Sequence, residues 1–219
     1  MKRATFAGYL DRIAPFRASG TLLDVGCASG ELMTVARDRG FDVYGVEISS
    51  AGVERCKGLF GAEKVIGRRL QRDDFPAAFF DVIVLSDVLE HVPVLREFVA
   101  MLECMLRPQG LLLIVTPDTT SWTRTLLGRS WPHYKREHLY YFNRTNLTVL
   151  FSDRHETLAV EPARKVLTLN YVVNVLQSYP ASFTSQLLVR MIRVVPKRLR
   201  SHAFTLSIGE MLLLLRKRT

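Results

Sequence analysis

Asp87, Glu90 and His91 stand at i, i+3 and i+4, so they share one face if that stretch makes a helical turn. His138 follows much later, inside an aromatic-rich segment. Carboxylates and imidazoles take protons from hydroxyl groups near neutral pH, and the same set ligates a divalent metal ion. A second pattern is Leu22-Leu23-Asp24-Val25-Gly26-Cys27-Ala28-Ser29-Gly30, an apolar run ending in a turn of small residues that leads into a helical pattern from Glu31. Small residues let a ligand approach the backbone closely, and the helix start offers unpaired N–H groups. Asp24 precedes the turn, where its carboxylate can meet a positively charged amine. The dinucleotide fingerprint requires GxGxxG, whereas here the spacing is GxxxG with Ala28 in the middle, so the pattern indicates a nucleotide-like ligand and no more. Glu47 closes the run Val43-Tyr44-Gly45-Val46-Glu47, about 20 residues past the turn, where an acid can accept both ribose hydroxyls.

These residues need elements to hold them. Short β-rich runs at Leu22–Val25, Val43–Val46, Lys64–Ile66, Val82–Leu85 and Leu111–Val115 alternate with helical patterns at Glu31–Arg39, Ser50–Phe60 and Val94–Leu106. That alternation predicts right-handed crossovers and a mostly parallel sheet covered on both faces. Phe6, Tyr9, Leu10, Ile13 and Phe16 recur at helical steps, predicting an amphipathic helix within residues 1–20 that ends at Ser19-Gly20. From Thr116 the period is lost. Residues 117–142 read as an aromatic lid loop, in which His133 and Tyr134 are expected to face a ligand while Tyr141 and Phe142 join the core. Asn143 is the expected N-cap of a helix over Thr145–Phe151, Leu158–Glu161 a strand, and Met211–Leu215 the last strand. Residues 167–200 read as a basic helical insertion, two amphipathic helices broken at Pro180 and Pro196.

At 219 residues, 48% apolar, the chain is expected to form a single domain with a large core of its own. Cys27, Cys56 and Cys104 are scattered and never in CxxC, which excludes a zinc finger and a secreted disulfide framework and favours a reducing, cytoplasmic setting. No apolar run approaches the roughly 18 residues of a spanning helix, and the N-terminal pattern is not that of a signal peptide. The net charge of +9 draws on clusters at Arg68, Arg69 and Arg72, at Arg190 to Arg200, and at Arg216 to Arg218. Such clusters attract phosphates, acidic ligands or anionic membranes, and equally serve as a solvated surface. Leu169, Val172, Val173 and Leu176, then Leu187, Leu188, Met191 and Ile192, paired with those basic residues, suit either a lid packed on the sheet or peripheral contact with a membrane.

Four stretches in order, LLDVGCASGELM, the acid in GVEIS, FDVIVLSDVLEHV and LRPQGLLLIVTPD, resemble the cofactor and strand motifs of class I S-adenosylmethionine-dependent methyltransferases. EHLYYFNRTNL is similar to a segment of small-molecule methyltransferases of that group, and the resemblance runs from about Leu22 to Phe151. It implies a Rossmann-like seven-stranded sheet with a helical and aromatic lid after strand five. It further implies that Asp24, Gly26, Cys27 and Gly30 hold the methionine end of S-adenosylmethionine, with Ala28 in a slot often filled by glycine. Glu47 would bind the ribose, Ile48 lie against the adenine, and Ser86 and Asp87 line the sulfonium end. The stretch Gly67-Arg68-Arg69-Leu70-Gln71 departs from the family, which often has an acid there, so Leu70 is expected on the adenine ring with Asp73 or Asp74 near its amino group. Asp87, Glu90, His91 and His138 resemble the Glu-x-x-Glu-His plus distant His of ubiquinone-pathway and small-RNA O-methyltransferases. On that reading they hold a divalent metal, or His91 and His138 act as bases with Asp87 beside them; in many members of the family the same Glu-His pair instead orders the helix start and holds no metal.

Methyl transfer from a sulfonium needs the acceptor, methyl and sulfur held in line, and an oxygen acceptor must also lose a proton. A small-molecule or lipid-linked oxygen acceptor is the leading expectation. A nucleic-acid methyltransferase is the second, favoured by the pI of 9.8 but not by Ser86-Asp87-Val88-Leu89, which replaces the Asn/Asp-Pro-Pro-aromatic box. A non-catalytic cofactor-binding domain is the third.

Overall fold

The apolar runs that the sequence spaces between helical patterns become the strands of one sheet in the computed structural model, which describes residues 1–178 and 183–219. The chain opens with α1 (Lys2–Ile13), then β1 (Gly20–Val25), α2 (Glu31–Asp38), β2 (Phe41–Val46), α3 (Ser50–Phe60), β3 (Val65–Ile66), β4 (Phe80–Ser86), α4 (Leu95–Met105) and β5 (Leu106–Pro117). After β5 come α5 (Trp122–Leu127), α6 (Arg144–Phe151), β6 (His155–Pro162), β7 (Lys165–Leu167), α7 (Leu169–Gln177), α8 (Phe183–Val194), α9 (Lys197–Arg200), β8 (Phe204–Leu206) and β9 (Glu210–Lys217). The main sheet has seven strands in the order β3-β2-β1-β4-β5-β9-β6, and β7 with β8 makes a separate two-stranded sheet. β1 to β5 pair in parallel, while β9 runs antiparallel between β5 and β6.

Strand alternation sends the central side chains to two different cores. Leu22, Val82, Val84, Leu111, Leu113, Leu212 and Leu214 face one way, beneath Leu10 and Ile13 of α1 and Met33 and Ala36 of α2. Leu23, Ile83, Leu85, Leu112, Ile114, Leu213 and Leu215 face the other way, beneath Leu102 and Met105 of α4 and Leu147 and Phe151 of α6. Both faces are covered, as near-continuous apolar strands require. The order of β1 and β4 reverses the winding of the sheet, so a crevice opens at their carboxyl ends.

Over that crevice stand the two insertions, one after β5 and one between β6 and β9. The first, expected as a loop, contains α5 and a 3₁₀ turn at Gly128–Ser130. Six residues are too few to show a helical period in sequence, but Ser121 caps α5 by accepting from Arg124 N. The second contains α7, α8 and α9, with Pro196 at the N-cap of α9 as the break between the last two. The expected break at Pro180 lies outside the described residues. Leu127 and Trp131 of the first insertion pack with Val173, Leu176, Val189 and Ile192 of the second in a third apolar cluster, distinct from the two sheet cores. Trp122 Nε1 donates to Ser207 O at 3.1 Å and Thr123 Oγ1 to Ile208 O at 3.2 Å, which ties α5 to the approach into β9. Among the described residues, no helix is long and apolar enough to cross a membrane.

Candidate active site

The turn after β1 is bound to the next strand by its backbone. Val46 O accepts from both Gly26 N at 2.8 Å and Cys27 N at 3.0 Å. Gly26 and Gly30 have φ of 78° and 79°, where a side chain is strained, and a Cβ at Gly26 would strike Val88. Ala28 adopts the same left-handed region at φ 48°. The Cys27 thiol packs against Cys56 Sγ at 3.8 Å.

A cavity of about 440 Å³ opens over this turn. Asp24, Gly26, Cys27, Ala28, Ser86 and Asp87 form its sheet side, and Thr5, Phe6 and Tyr9 of α1 with Lys165 and Tyr171 close it from above. Burial, with Glu47 and Glu31 nearby, pushes the Asp24 carboxyl up to about 7. Tyr9 is buried, and its hydroxyl has no hydrogen-bond partner. Glu47, Ile48 and Leu70 lie outside this cavity. The Glu47 carboxylate accepts from Ala28 N at 2.7 Å, Ile48 N at 2.8 Å and Ser49 N at 2.7 Å, so it organises two loops and is left with about one of its ~four lone-pair sites, fewer than the two that both ribose hydroxyls would take. Ile48 is 70% exposed, and Leu70 is half-buried against the core beneath α4. Arg68 grips Asp74 through two bonds of 2.8 and 2.5 Å, and Gln71 N adds a third at 2.7 Å. Asp74, expected near the adenine, is therefore committed to folding its own loop.

A second cavity, of about 480 Å³, lies beside the first under the insertions. Its outer wall is apolar, with Trp122, Leu126, Val172, Val175 and Leu188. Its floor is polar and divides into two groups. In one, Glu90, His91 and His138 bring one ligand atom each within 4.8 Å of one another. Thr116 Oγ1 donates to Glu90 Oε2 at 3.0 Å, while Glu90 Oε1 and His138 Nδ1 are buried without partners. The two imidazoles meet edge to face with centroids 4.7 Å apart, and His91 Nδ1 lies 3.0 Å from Glu137 O. Burial pushes Glu90 up to about 7 and holds His138 below the usual imidazole value, which favours the neutral form that a metal requires.

Asp87 does not join this trio, contrary to the expected quartet. It sits in a left-handed conformation at φ 57° and turns toward Lys165, whose Nζ is 3.6 Å from Asp87 Oδ2 and 2.6 Å from Glu210 Oε1. Burial alone would lower the Lys165 pKa, but the Glu210 and Asp87 carboxylates outweigh it and hold the ammonium charged. Glu210 is buried with Oε2 unpartnered, and His133 Nε2 stands 3.8 Å from its other oxygen. Burial drives His133 down to about 4, so it is neutral. Asp87, Lys165 and Tyr171 line both cavities and mark where the two meet.

The aromatic expectations divide. His133 lines the second cavity and Phe142 is core, as expected. Tyr134 instead places its hydroxyl 3.2 Å from Arg124 Nε, and Tyr141, expected in the core, is 38% exposed and donates to Lys135 O at 3.2 Å. Both brace the loop rather than face a ligand. Lys165 and Glu210 carried no sequence signal: they lie 45 residues apart and meet only through the pairing of β9 and the turn into β7.

This strand order, with a glycine-edged turn at the end of β1, an acid at the end of β2 and a cavity between β1 and β4, defines a class I S-adenosylmethionine-dependent methyltransferase fold and site. Residues 2–155 match the family model described as a methyltransferase domain, and the chain belongs to that family of enzymes. It is similar to the ubiquinone biosynthesis O-methyltransferase of Mesorhizobium japonicum, 35% identical over 104 residues, which cover 45% of this chain and 41% of that protein. The mitochondrial ubiquinone biosynthesis O-methyltransferase of Mus musculus is 29% identical over 113 residues, covering 48% of this chain and 30% of that one. The chain thus spans less than half the length of these relatives. Among solved structures, a methyltransferase of Bacillus halodurans superposes with a TM-score of 0.65 at 15% identity, covering 97% of this chain and 99% of the other. A geranyl diphosphate methyltransferase in complex with S-adenosylmethionine superposes at 0.62 and 18% identity, covering 99% and 85%. At such identities the structures share the fold.

Proposed function

We propose that this enzyme methylates a hydroxyl oxygen on a small or lipid-linked acceptor with an apolar body, held in the second cavity. The observation that carries the reading is that the cofactor cavity and the apolar-walled cavity meet at Asp87, Lys165 and Tyr171. A methyl group presented from the first would face an acceptor atom in the second, the in-line arrangement that this chemistry requires. Asp24 would hold the cofactor amine and Glu47 its ribose. Glu90, His91 and His138, with two buried unpartnered atoms among them, fit a divalent cation, which would lower the pKa of the acceptor hydroxyl. His138, buried and shifted toward the neutral form, would otherwise take the hydroxyl proton itself. The Lys165 ammonium would steady the negative charge that the oxygen gains before it attacks. The O-methyltransferases among the relatives support oxygen as the acceptor atom.

The test is a screen of alkylated phenols and catechols with methyl-labelled S-adenosylmethionine, with products resolved by mass spectrometry. An O-methyl ether is the expected product. His138→Ala should slow turnover roughly 100-fold or more, and a chelator should slow the wild type in a way that magnesium reverses. Labelled nitrogen or carbon in the product, or full activity in both His91→Ala and His138→Ala, would sink the reading.

A further inference from the structure

Residues 162–209 contain seven Arg or Lys and no Asp or Glu. This acid-free segment builds α7, α8 and α9. Within it α8 has apolar residues on two opposite faces. Val189 and Ile192 are buried and Leu188 is half-buried in the cluster under the insertions, while Phe183, Leu187, Met191 and Val194 point the other way. The four outward residues are 81%, 48%, 63% and 85% exposed. At about 100° per residue they fall within a sector of roughly 80°, a continuous stripe rather than scattered exposure. Arg190 is exposed at the edge of the stripe, Arg193 is exposed on the same flank about 80° round from that edge toward α7, and Lys197 and Arg198 of α9 continue the positive charge.

We infer that the outer face of α8, with the basic residues beside it, docks on an anionic phospholipid bilayer. An apolar stripe edged by cations is the pattern of a helix lying in the membrane interface, its side chains in the acyl boundary and its guanidinium groups among lipid phosphates. The charge decides between occupants. A second copy brought face to face would set Arg190 and Arg193 against themselves with no acid in the segment to neutralise them. A nucleic acid would meet the cations but leave Phe183 and Val194 in water. The bilayer satisfies both. Continuity with the acceptor cavity adds a reason: Leu188 of this same helix and Val172, Val175 and Leu176 of α7 wall that cavity. An acceptor with an apolar tail would then reach the site from the bilayer, which deepens the proposed function, although docking itself stands without any acceptor.

The experiment is co-sedimentation of the full chain with vesicles of phosphatidylcholine alone and of phosphatidylcholine doped with phosphatidylglycerol. The wild type should pellet with the doped vesicles and stay in solution with the neutral ones. Arg190→Ala and Arg193→Ala should each lower the partition coefficient roughly fivefold, and the double substitution Phe183→Ser with Val194→Ser should lower it tenfold or more. Unchanged affinity for S-adenosylhomocysteine would show that these exposed substitutions leave the fold intact. Three outcomes overturn the inference: a wild type that ignores anionic vesicles, a double variant that pellets like the wild type, or a dimer in solution that the double variant dissociates. None of them touches the methyltransferase reading, which the cofactor titration tests separately.

Discussion

Two buried carboxyl groups, Asp24 and Glu90, are each pushed up to about 7, and each lines a cavity where a cation is expected. For Asp24 the consequence can be worked out. Without ligand its folded pKa of about 7 lies above the unfolded value near 3.9, so its contribution to stability is full below that lower value and is lost as pH rises through about 7. On the proposed function the amine of the cofactor would reverse the preference, because it would bind the ionised carboxylate. Below pH 7 binding must expel a proton, so affinity for S-adenosylhomocysteine should fall toward about tenfold per pH unit. Calorimetric titration between pH 8 and 6 should show that decline, and Asp24→Asn should bind more weakly with a flat profile. A wild-type affinity constant across that range would remove Asp24 from the cofactor contact. Residues of this kind were legible because a turn of fixed spacing announces them. Lys165 and Glu210 were not, since a lone lysine and a lone glutamate in separate strands look like any surface pair until β9 is seen to run between β5 and β6. The same blindness put Asp87 with Glu90 and His91: helical spacing was the cue, but its left-handed backbone turns it toward Lys165.

Among the elements, the parallel strands were readable because a strand buried on both faces is an unbroken apolar run bounded by turns. β6 and α5 were harder, the first carrying His155, Glu156 and Glu161 and the second too short for a period. What binds the elements at the amino end of the sheet is also invisible locally. Asp81 at the start of β4 receives Thr21 N at 2.9 Å from β1, Arg107 Nη1 at 2.6 Å from β5 and Arg17 Nη1 at 3.3 Å from the turn between α1 and β1. Burial alone would raise its pKa, but the Thr21 amide and the Arg107 guanidinium outweigh burial and hold it below the usual carboxylate range. The stability this contributes is present above pH ~4 and is lost as pH falls through the folded value. Asp81→Ala strands a half-buried amide and a partly exposed guanidinium, so a loss of about 1–3 kcal/mol is expected in urea unfolding at pH 7. The gap between variant and wild type should narrow in acid. Equal gaps at pH 7 and pH 3 would assign the loss to packing instead of charge.

At the scale of the whole molecule, the sheet and the insertions are held by different cores. The sheet clusters span α1 to α4, α6 and the strands, whereas Leu127, Trp131, Val173, Leu176, Val189 and Ile192 form a cluster of their own above the crevice. A separate small core supports opening independent of the rest, which an enzyme needs if an acceptor is to enter a covered cavity. Trp131 is the keystone: it is 1% exposed, and its Nε1 donates to Thr123 Oγ1 at 3.1 Å. Replacing it with alanine should cost about 3–5 kcal/mol, and that cost should fall on the insertions alone. Hydrogen exchange of Trp131→Ala should therefore show faster exchange at amides in α5, α7 and α8, while amides in β1, β4 and β5 keep their wild-type protection. Exchange that rises equally in the central strands would mean that insertions and sheet unfold as one unit, and the cavity would then have to admit its acceptor without opening.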